Sequence, residues 1–453
     1  MVSQEHPPSR RAIRGRILSF TDDPAVVDGE GSYGYWEDGV VVVEAGTITA
    51  LGDANAILPQ LPSDVEIDDH SGRLVLPGFI DTHIHYSQSR IIASYGAQLI
   101  QWLEKYTFPE EARFADPEYA AKCADFFFDE LLRNGTTTAA VFCTVHESSV
   151  ETFFAASERR NMCMIAGKVM MDRNAPEALL DPPGSNGAAA GFEASERLAR
   201  KWHRRGRQYY AVTPRFALTS TEAQLEACKA LMDAFPGAYL QTHLAEHRDE
   251  VEAVIRQFPR ARNYTDVYDR AGLLGPRAIF GHGIHLDDDE LRRLHQTRSV
   301  IAFAPSSNLF IGSGLFDFER TVDGAHPVRV GLASDVGAGT SFSMLRTAAD
   351  AYKVMQLQGQ NLTALRAFYL MTLGNARALG LENRIGTLEP GTEADIVVLD
   401  GSGIPALKQR LAACDGDLAE EIFAIMTLGD DRAVAATYIA GSLAHTAQRN
   451  TSG

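Results

Sequence analysis

Thiol chemistry is scarce in this chain. It has five cysteines in 453 residues, Cys123, Cys143, Cys163, Cys228 and Cys414, with no C-x-x-C pair among them. That spacing excludes a thiolate zinc knuckle and offers no disulfide framework, so reduced, mostly buried thiols in a cytosolic compartment are expected. Positive charge is also short: 42 Lys and Arg against 59 Asp and Glu leave a net charge of −17. A protein that grips phosphate backbones needs clustered cations, so a nucleic-acid partner is not expected, and the acidic surplus reads as a solubility device. No apolar run approaches the length of a membrane span. The opening "MVSQEHPPSRRAIRG" lacks the apolar centre of a signal peptide. The expectation is a cytoplasmic protein with no membrane contact. No repeat of 20–50 residues and no low-complexity tract stands out, which argues against a solenoid. The H-x-E with P-C-x-x-C layout of nucleobase-editing zinc deaminases is missing as well.

What is present is ordinary core material, 45% apolar and 22% charged. Before Pro77 the chain reads as short strands and turns, for example "GVVVVEAGTITALG". The far end has the same texture, with "GTEADIVVLD" and a hairpin turning near Ala440-Gly441 in "AATYIAGSLAH". These fragments predict one small β-sandwich built from both termini, residues 1–76 and 389–453. Between them, over 77–388, eight β-type runs alternate with amphipathic helical stretches such as "TEAQLEACKALMDAFPG". The runs are "GFIDTHIH", "TTTAAVFCT", "MCMIAGKVMM", "YYAVTPRF", "AYLQTHLAE", "RAIFGHGIHL", "SVIAFAPSSN" and "VRVGLASDVG". Eight such units predict an α/β fold, a (β/α)8 TIM barrel whose active site lies at the C-terminal ends of the strands.

Chemistry-bearing residues close five of these runs. His83 and His85 end the first, Arg215 the fourth, His243 with Glu246 the fifth, His282 the sixth and Asp335 the eighth. Residues two apart in a strand face the same side, so His83 and His85 share a direction. Three imidazoles and a carboxylate suit Zn²⁺ best, with Fe²⁺ also compatible, and one metal per subunit suffices. Each residue alone has a plainer reading: a lone His is more often a hydrogen-bonding group, and Asp335 reads equally as a helix cap. Lys168 ends the third run; carboxylated, it would bridge two metals. His146, His247 and His285 lie just past strand ends and need no ligand role.

In order along nearly the whole chain, "PGFIDTHIHYSQ", "WLEKYTFPEE", "NGTTTAAVF", "GKVMMDRN", "VTPRFALTS", "QTHLAEHRDEV", "FGHGIHL", "PSSNLFIGSGLFD", "ASDVGAGTSFSMLR" and "TLGDDR" resemble the amidohydrolase superfamily, and more narrowly its barrel-type guanine deaminases. The resemblance implies zinc-dependent hydrolytic deamination of guanine to xanthine and ammonia, in purine catabolism and salvage, by a homodimer. It implies that His83, His85, His243 and Asp335 hold the zinc. It makes Glu246 the proton shuttle, with His282 and Asp335 beside it in the catalytic group. Gln88, Arg215, Phe216 and His282 would hold the base, and Trp102 and Tyr106 would belong to a covering loop or simply pack in the core. Two departures are modest: Ser87 stands where the family often has Pro, and Ala304-Pro305-Ser306-Ser307-Asn308 replaces "CPNSN". The competing expectations are a neighbouring aminohydrolase or chlorohydrolase acting on pterins, 8-oxoguanine or triazines, and a metal-free scaffold barrel.

Overall fold

The computed structural model describes residues 10–27, 31–96, 98–181 and 187–447. His6 and the first nine residues of the N-terminal stretch considered as a leader lie outside them. The N-terminal strands are β1 (Arg10–Phe20), β2 (Tyr33–Glu44), β3 (Thr47–Asp53) and β4 (Glu66–Pro77). The next nine are β5 (Phe79–His85), β6 (Thr136–Phe142), β7 (Cys163–Gly167), β8 (Val169–Met170), β9 (Gln208–Pro214), β10 (Tyr239–Leu244), β11 (Ala278–His282), β12 (Val300–Phe303) and β13 (Arg329–Leu332). The last three are β14 (Ile396–Leu399), β15 (Val434–Ile439) and β16 (Ser442–Thr446).

Two compact units result. One comprises residues 1–80, 131–137 and 363–453, the other 81–130 and 138–362. In the first, strands from both ends of the chain form one seven-stranded sheet, ordered β16-β15-β14-β4-β1-β2-β3. The join is antiparallel between β4 and β14, with Ile396 opposite Pro77. Alternation along the strands puts Ile13, Val41, Val43, Val75, Ile396, Val398 and Tyr438 into one apolar core. The expected hairpin is there, with β15 and β16 joined through Ala440 and Gly441, both at positive φ.

All eight apolar runs between the terminal fragments are strands of one sheet, ordered β13-β12-β11-β10-β9-β7-β6-β5, with short β8 pairing to β9. The strand pairs run parallel. Strands buried on both faces read as continuous apolar runs, which is why β5, β6, β7, β11 and β12 are buried along their whole length. The bonds by which the first and eighth barrel strands meet include Thr82 Oγ1 to Leu332 O at 3.1 Å, Asp335 N to His83 O at 2.9 Å, and His85 N to Val336 O at 2.9 Å. Between strands, helices start at side-chain caps. Thr221 accepts from Gln224 N, Asn263 from Asp266 N, and Asp287 from Glu290 N in a capping box.

Candidate active site

The period-two geometry of β5 brings the rings of His83 and His85 to one side, 5.1 Å apart between centroids. His243 comes from β10, its ring 4.9 Å from that of His83 and 5.3 Å from that of His85. Asp335 follows β13. Its Oδ1 lies 3.3 Å from Nε2 of His83 and 3.4 Å from Nε2 of His85. The Nε2 atoms of His85 and His243 are 3.3 Å apart. Zn–N and Zn–O bonds of about 2.0–2.1 Å at tetrahedral angles give donor separations of about 3.3–3.4 Å. The three measured edges therefore match a shared cation.

The electrostatics agree with that fit. Burial drives the His85 imidazole down to about pKa 3 and His243 well below its ordinary value, so both are neutral donors at neutral pH. Asp335 is held well below the usual carboxylate range: burial opposes ionisation, but the close imidazoles of His83 and His85 outweigh it. His243 donates Nδ1–H to Arg215 O at 2.7 Å, which leaves Nε2 as its lone-pair nitrogen. His83 Nε2 is buried and makes no hydrogen bond, an orphan that a cation would satisfy.

Ala245, His282 and Asp335 all adopt positive φ, at 49°, 71° and 51°. Such conformations are uncommon for non-glycine residues and cluster where surrounding bonds hold them for a purpose. Asp81, a residue that the sequence alone does not single out, is one such holder. It is buried, accepts from His83 N and Ser334 N at 3.1 Å each, and accepts from the Ser334 hydroxyl. Burial pushes its carboxyl up to about 6. The alternative role of Asp335 as a cap does not apply, because the following helix, Met344–Leu357, begins after Ser343.

Glu246 sits two residues past β10, buried, with Oε1 accepting from Ser313 Oγ at 3.1 Å. Its Oε2 is 3.5 Å from His282 Nε2, which also lies 3.9 Å from Asp335 Oδ2. His282 donates Nδ1–H to Asn308 Oδ1 at 2.9 Å, so the departing "PSSN" segment still delivers its asparagine. Burial, then the charge of Asp335, push the Glu246 carboxyl up to about 8. The Glu246 backbone is fixed by a second buried carboxylate: Glu250 Oε2 accepts from the amides of Glu246 (2.9 Å) and His247 (3.1 Å), and its Oε1 accepts from Tyr264 Oη at 2.7 Å. His247 caps the helix Arg248–Gln257, and His285 bonds Ser313 O.

Gln88 and Arg215 meet on a partner that the sequence does not announce. Glu111, in the helix Phe108–Ala112, is fully buried. Its Oε2 accepts from Arg215 Nη1 at 2.6 Å and its Oε1 from Gln88 Nε2 at 3.2 Å. Gln88 Oε1 in turn accepts from Gly337 N at 3.3 Å. Phe216 lies edge-on to His243, 6.5 Å between centroids. Trp102 and Tyr106 are not in a loop: Leu99–Trp102 is helical and Leu103–Thr107 continues it as a π-turn into Phe108–Ala112. Apolar packing explains this order. Trp102 is buried in a cluster with Phe108, Phe142 and Phe216, and Tyr106 packs against its edge. Lys168 is engaged elsewhere, in a buried ion pair with Asp181 and a 3.1 Å bond to Val169 O.

Residues 74–444 match the Amidohydrolase family. Guanine deaminase of Escherichia coli (strain K12) is 44% identical over 448 residues, covering 98% of this chain and 99% of that one. The crystal structure of guanine deaminase from Bradyrhizobium japonicum superposes with a TM-score of 0.92 at 35% identity, covering 97% of this chain and 100% of that one. That of guanine deaminase from C. acetobutylicum, with guanine bound in its active site, gives 0.84 at 25% identity, covering 96% and 99%. With its barrel, its strand-end cluster and these full-length relatives, the chain belongs to the amidohydrolase family.

Proposed function

We propose that the chain deaminates guanine hydrolytically to xanthine and ammonia, with one Zn²⁺ per subunit held by His83, His85, His243 and Asp335. The observation that most supports this is the meeting of two buried groups: imidazole and carboxylate donors at tetrahedral-edge spacing, and the Arg215–Gln88 pair, whose backbone and side-chain bonds connect to the same strand ends. When bound, Zn²⁺ lowers the pKa of a water from about 16 to about 7 and so supplies a nucleophile at neutral pH.

The chain's own residues do the rest. Asp335 Oδ2 and Glu246 face His282 and are the carboxylate oxygens available to take a proton from water. Glu246 carries that proton to N3 of the ring, where it stays, as C2 is attacked. The second proton, given up by the new C2 hydroxyl as it becomes a carbonyl, passes through Glu246 to the amino group, which leaves as ammonia. General acid–base help of this kind contributes about 10²–10⁴-fold. The raised pKa of Glu246 suits it to hold a proton between the two transfers. His282, fixed by Asn308, orients the oxygen nucleophile. The remaining N–H groups of Arg215 suit the O6 edge of guanine, and Gln88 offers both an amide and a carbonyl. Phe216 packs against the flat ring. Adenine, with an amino group at C6, would turn a donor toward Arg215, leaving buried polar groups unpaired at about 1–3 kcal/mol each.

The same reading takes Zn²⁺ over Fe²⁺ because imidazole and carboxylate donors at tetrahedral spacing suit it. Five buried free thiols support a cytoplasmic setting. Among the described residues no helix is long and apolar enough to cross a membrane. Homodimer assembly belongs to the proposal and is read by light scattering. The test of function is direct: ammonia and xanthine from guanine, with metal analysis of the same sample. Preference for isoxanthopterin, 8-oxoguanine or a triazine over guanine would overturn the substrate.

A further inference from the structure

We propose that Glu111 is a positioning residue that orients Arg215 and Gln88 and cancels the Arg215 charge, so that the pocket binds a neutral base and lets go of its acidic product. This rests on the guanine-deaminating reading. A carboxylate with less than 1% exposure must be paired, and each oxygen of Glu111 has one partner, Arg215 Nη1 and Gln88 Nε2. The neighbouring Glu110 is turned away, to Arg113 (3.1 Å) and the Tyr119 hydroxyl. Gln88 is then locked at both ends. A flipped amide would set its NH2 against Gly337 N–H and its carbonyl against the Glu111 carboxylate. One N–H and one lone-pair direction of Gln88 stay free in a single fixed arrangement.

Charge supplies the second half of the argument. Arg215 is buried, lies over the Phe108 ring at 5.6 Å, and bonds His243 through its backbone. Among the described residues, His85, His243 and Glu246 lie close enough to Arg215 to feel its charge. An unpaired guanidinium here would attract any anion in the pocket. Exchange of the guanine amino group for a carbonyl oxygen gives xanthine a new ring N–H at N3, and xanthine ionises there more readily than guanine does at any N–H. With Glu111 in place, Arg215 still donates hydrogen bonds but the Arg215–Glu111 pair carries no net charge, so the anion gains little over the neutral substrate.

The experiment compares wild type, Glu111→Gln and Glu111→Asp for guanine kcat and KM, zinc content, and inhibition by xanthine below and above its first ionisation. Wild type must first release ammonia from guanine; if it does not, the functional reading fails and Glu111 is not at issue. With active wild type, Glu111→Gln is expected to bind xanthine about tenfold more tightly above its ionisation, with a higher KM for guanine and unchanged zinc. Glu111→Asp, which keeps the charge on a shorter arm, is expected to raise KM while leaving xanthine inhibition near wild type. Xanthine inhibition in Glu111→Gln that is unchanged, or weakened in step with guanine, would overturn the proposal. Should Glu111→Gln not fold, an unaltered guanine KM in Glu111→Asp would overturn it instead.

Discussion

Oδ1 of Asp335, just past the eighth barrel strand, lies 3.3 Å from Nε2 of His83 on the first, and a backbone bond from Asp335 N to His83 O ties the same two residues at 2.9 Å. The strand closure and the candidate cation site are thus one feature. Whatever holds Asp335 in its left-handed conformation also sets the spacing of the donor cluster.

Asp81 is the holder most exposed to test. It bonds the amides of His83 and Ser334, on either side of that closure. Asp81→Asn should fold and keep the barrel's circular-dichroism spectrum, yet bind Zn²⁺ about 10–100-fold more weakly, the usual cost of losing a support behind a ligand. Competition with a chromophoric chelator measures this, and wild-type affinity in the variant would show that the closure holds without Asp81.

Glu246→Gln should give a folded, metal-loaded protein with guanine turnover reduced by at least about 10²-fold. The amide keeps the bond from Ser313 but has no proton to move. Substantial turnover by this variant would remove Glu246 from the shuttle role.

Arg215→Ala should lose guanine turnover and also destabilise the chain by about 3–5 kcal/mol, because it strands the buried Glu111 carboxylate. The double variant Arg215→Ala/Glu111→Gln should recover most of the stability and none of the turnover. Denaturant midpoints and ammonia release separate the two effects. Equal loss of metal in both variants would mean that the Arg215 side chain supports the metal cluster rather than reading the base.

Glu250 predicts a pH dependence of stability. Burial, then the charge of Glu246, raise its carboxyl from 4.5 to about 7. The folded chain therefore holds a proton that the unfolded chain gives up, so this contribution is fully present below about pH 4.5 and is lost as pH rises through about 7. Glu250→Gln removes the titration. Its stability relative to wild type should rise across that window by at most about 3 kcal/mol, since each tenfold change in proton affinity is worth about 1.4 kcal/mol. A difference between the two proteins that stays constant from about pH 4 to about pH 8 would contradict the assignment.

Much of this was legible in the chain because buried parallel strands announce themselves as apolar runs, and their final residues must point at a common mouth. His83, His85, His243, Glu246, His282 and Asp335 all follow from that rule. Glu111 and Glu250 did not, for a physical reason: in "TFPEE" and "HRDEVEA" an acidic residue reads as a solvated helix face, and only packing against Arg215 or the Glu246 amides shows otherwise. Asp81 stands inside "PGFIDTHIHYSQ", yet its value lies in bonds to Ser334 at the other end of the barrel. The order of residues 99–112 was hidden similarly, since Trp102 and Phe108 find their apolar partners far along the chain, Phe142 on β6 and Phe216 just past β9.

The central claim is tested most directly by titrating metal-stripped protein with Zn²⁺ while following ammonia release from guanine. Activity should rise in proportion to added zinc and level off at one ion per chain, with His83→Ala showing neither binding nor rate. Full turnover by the stripped protein, or a plateau reached only at two ions, would contradict a single cation on His83, His85, His243 and Asp335.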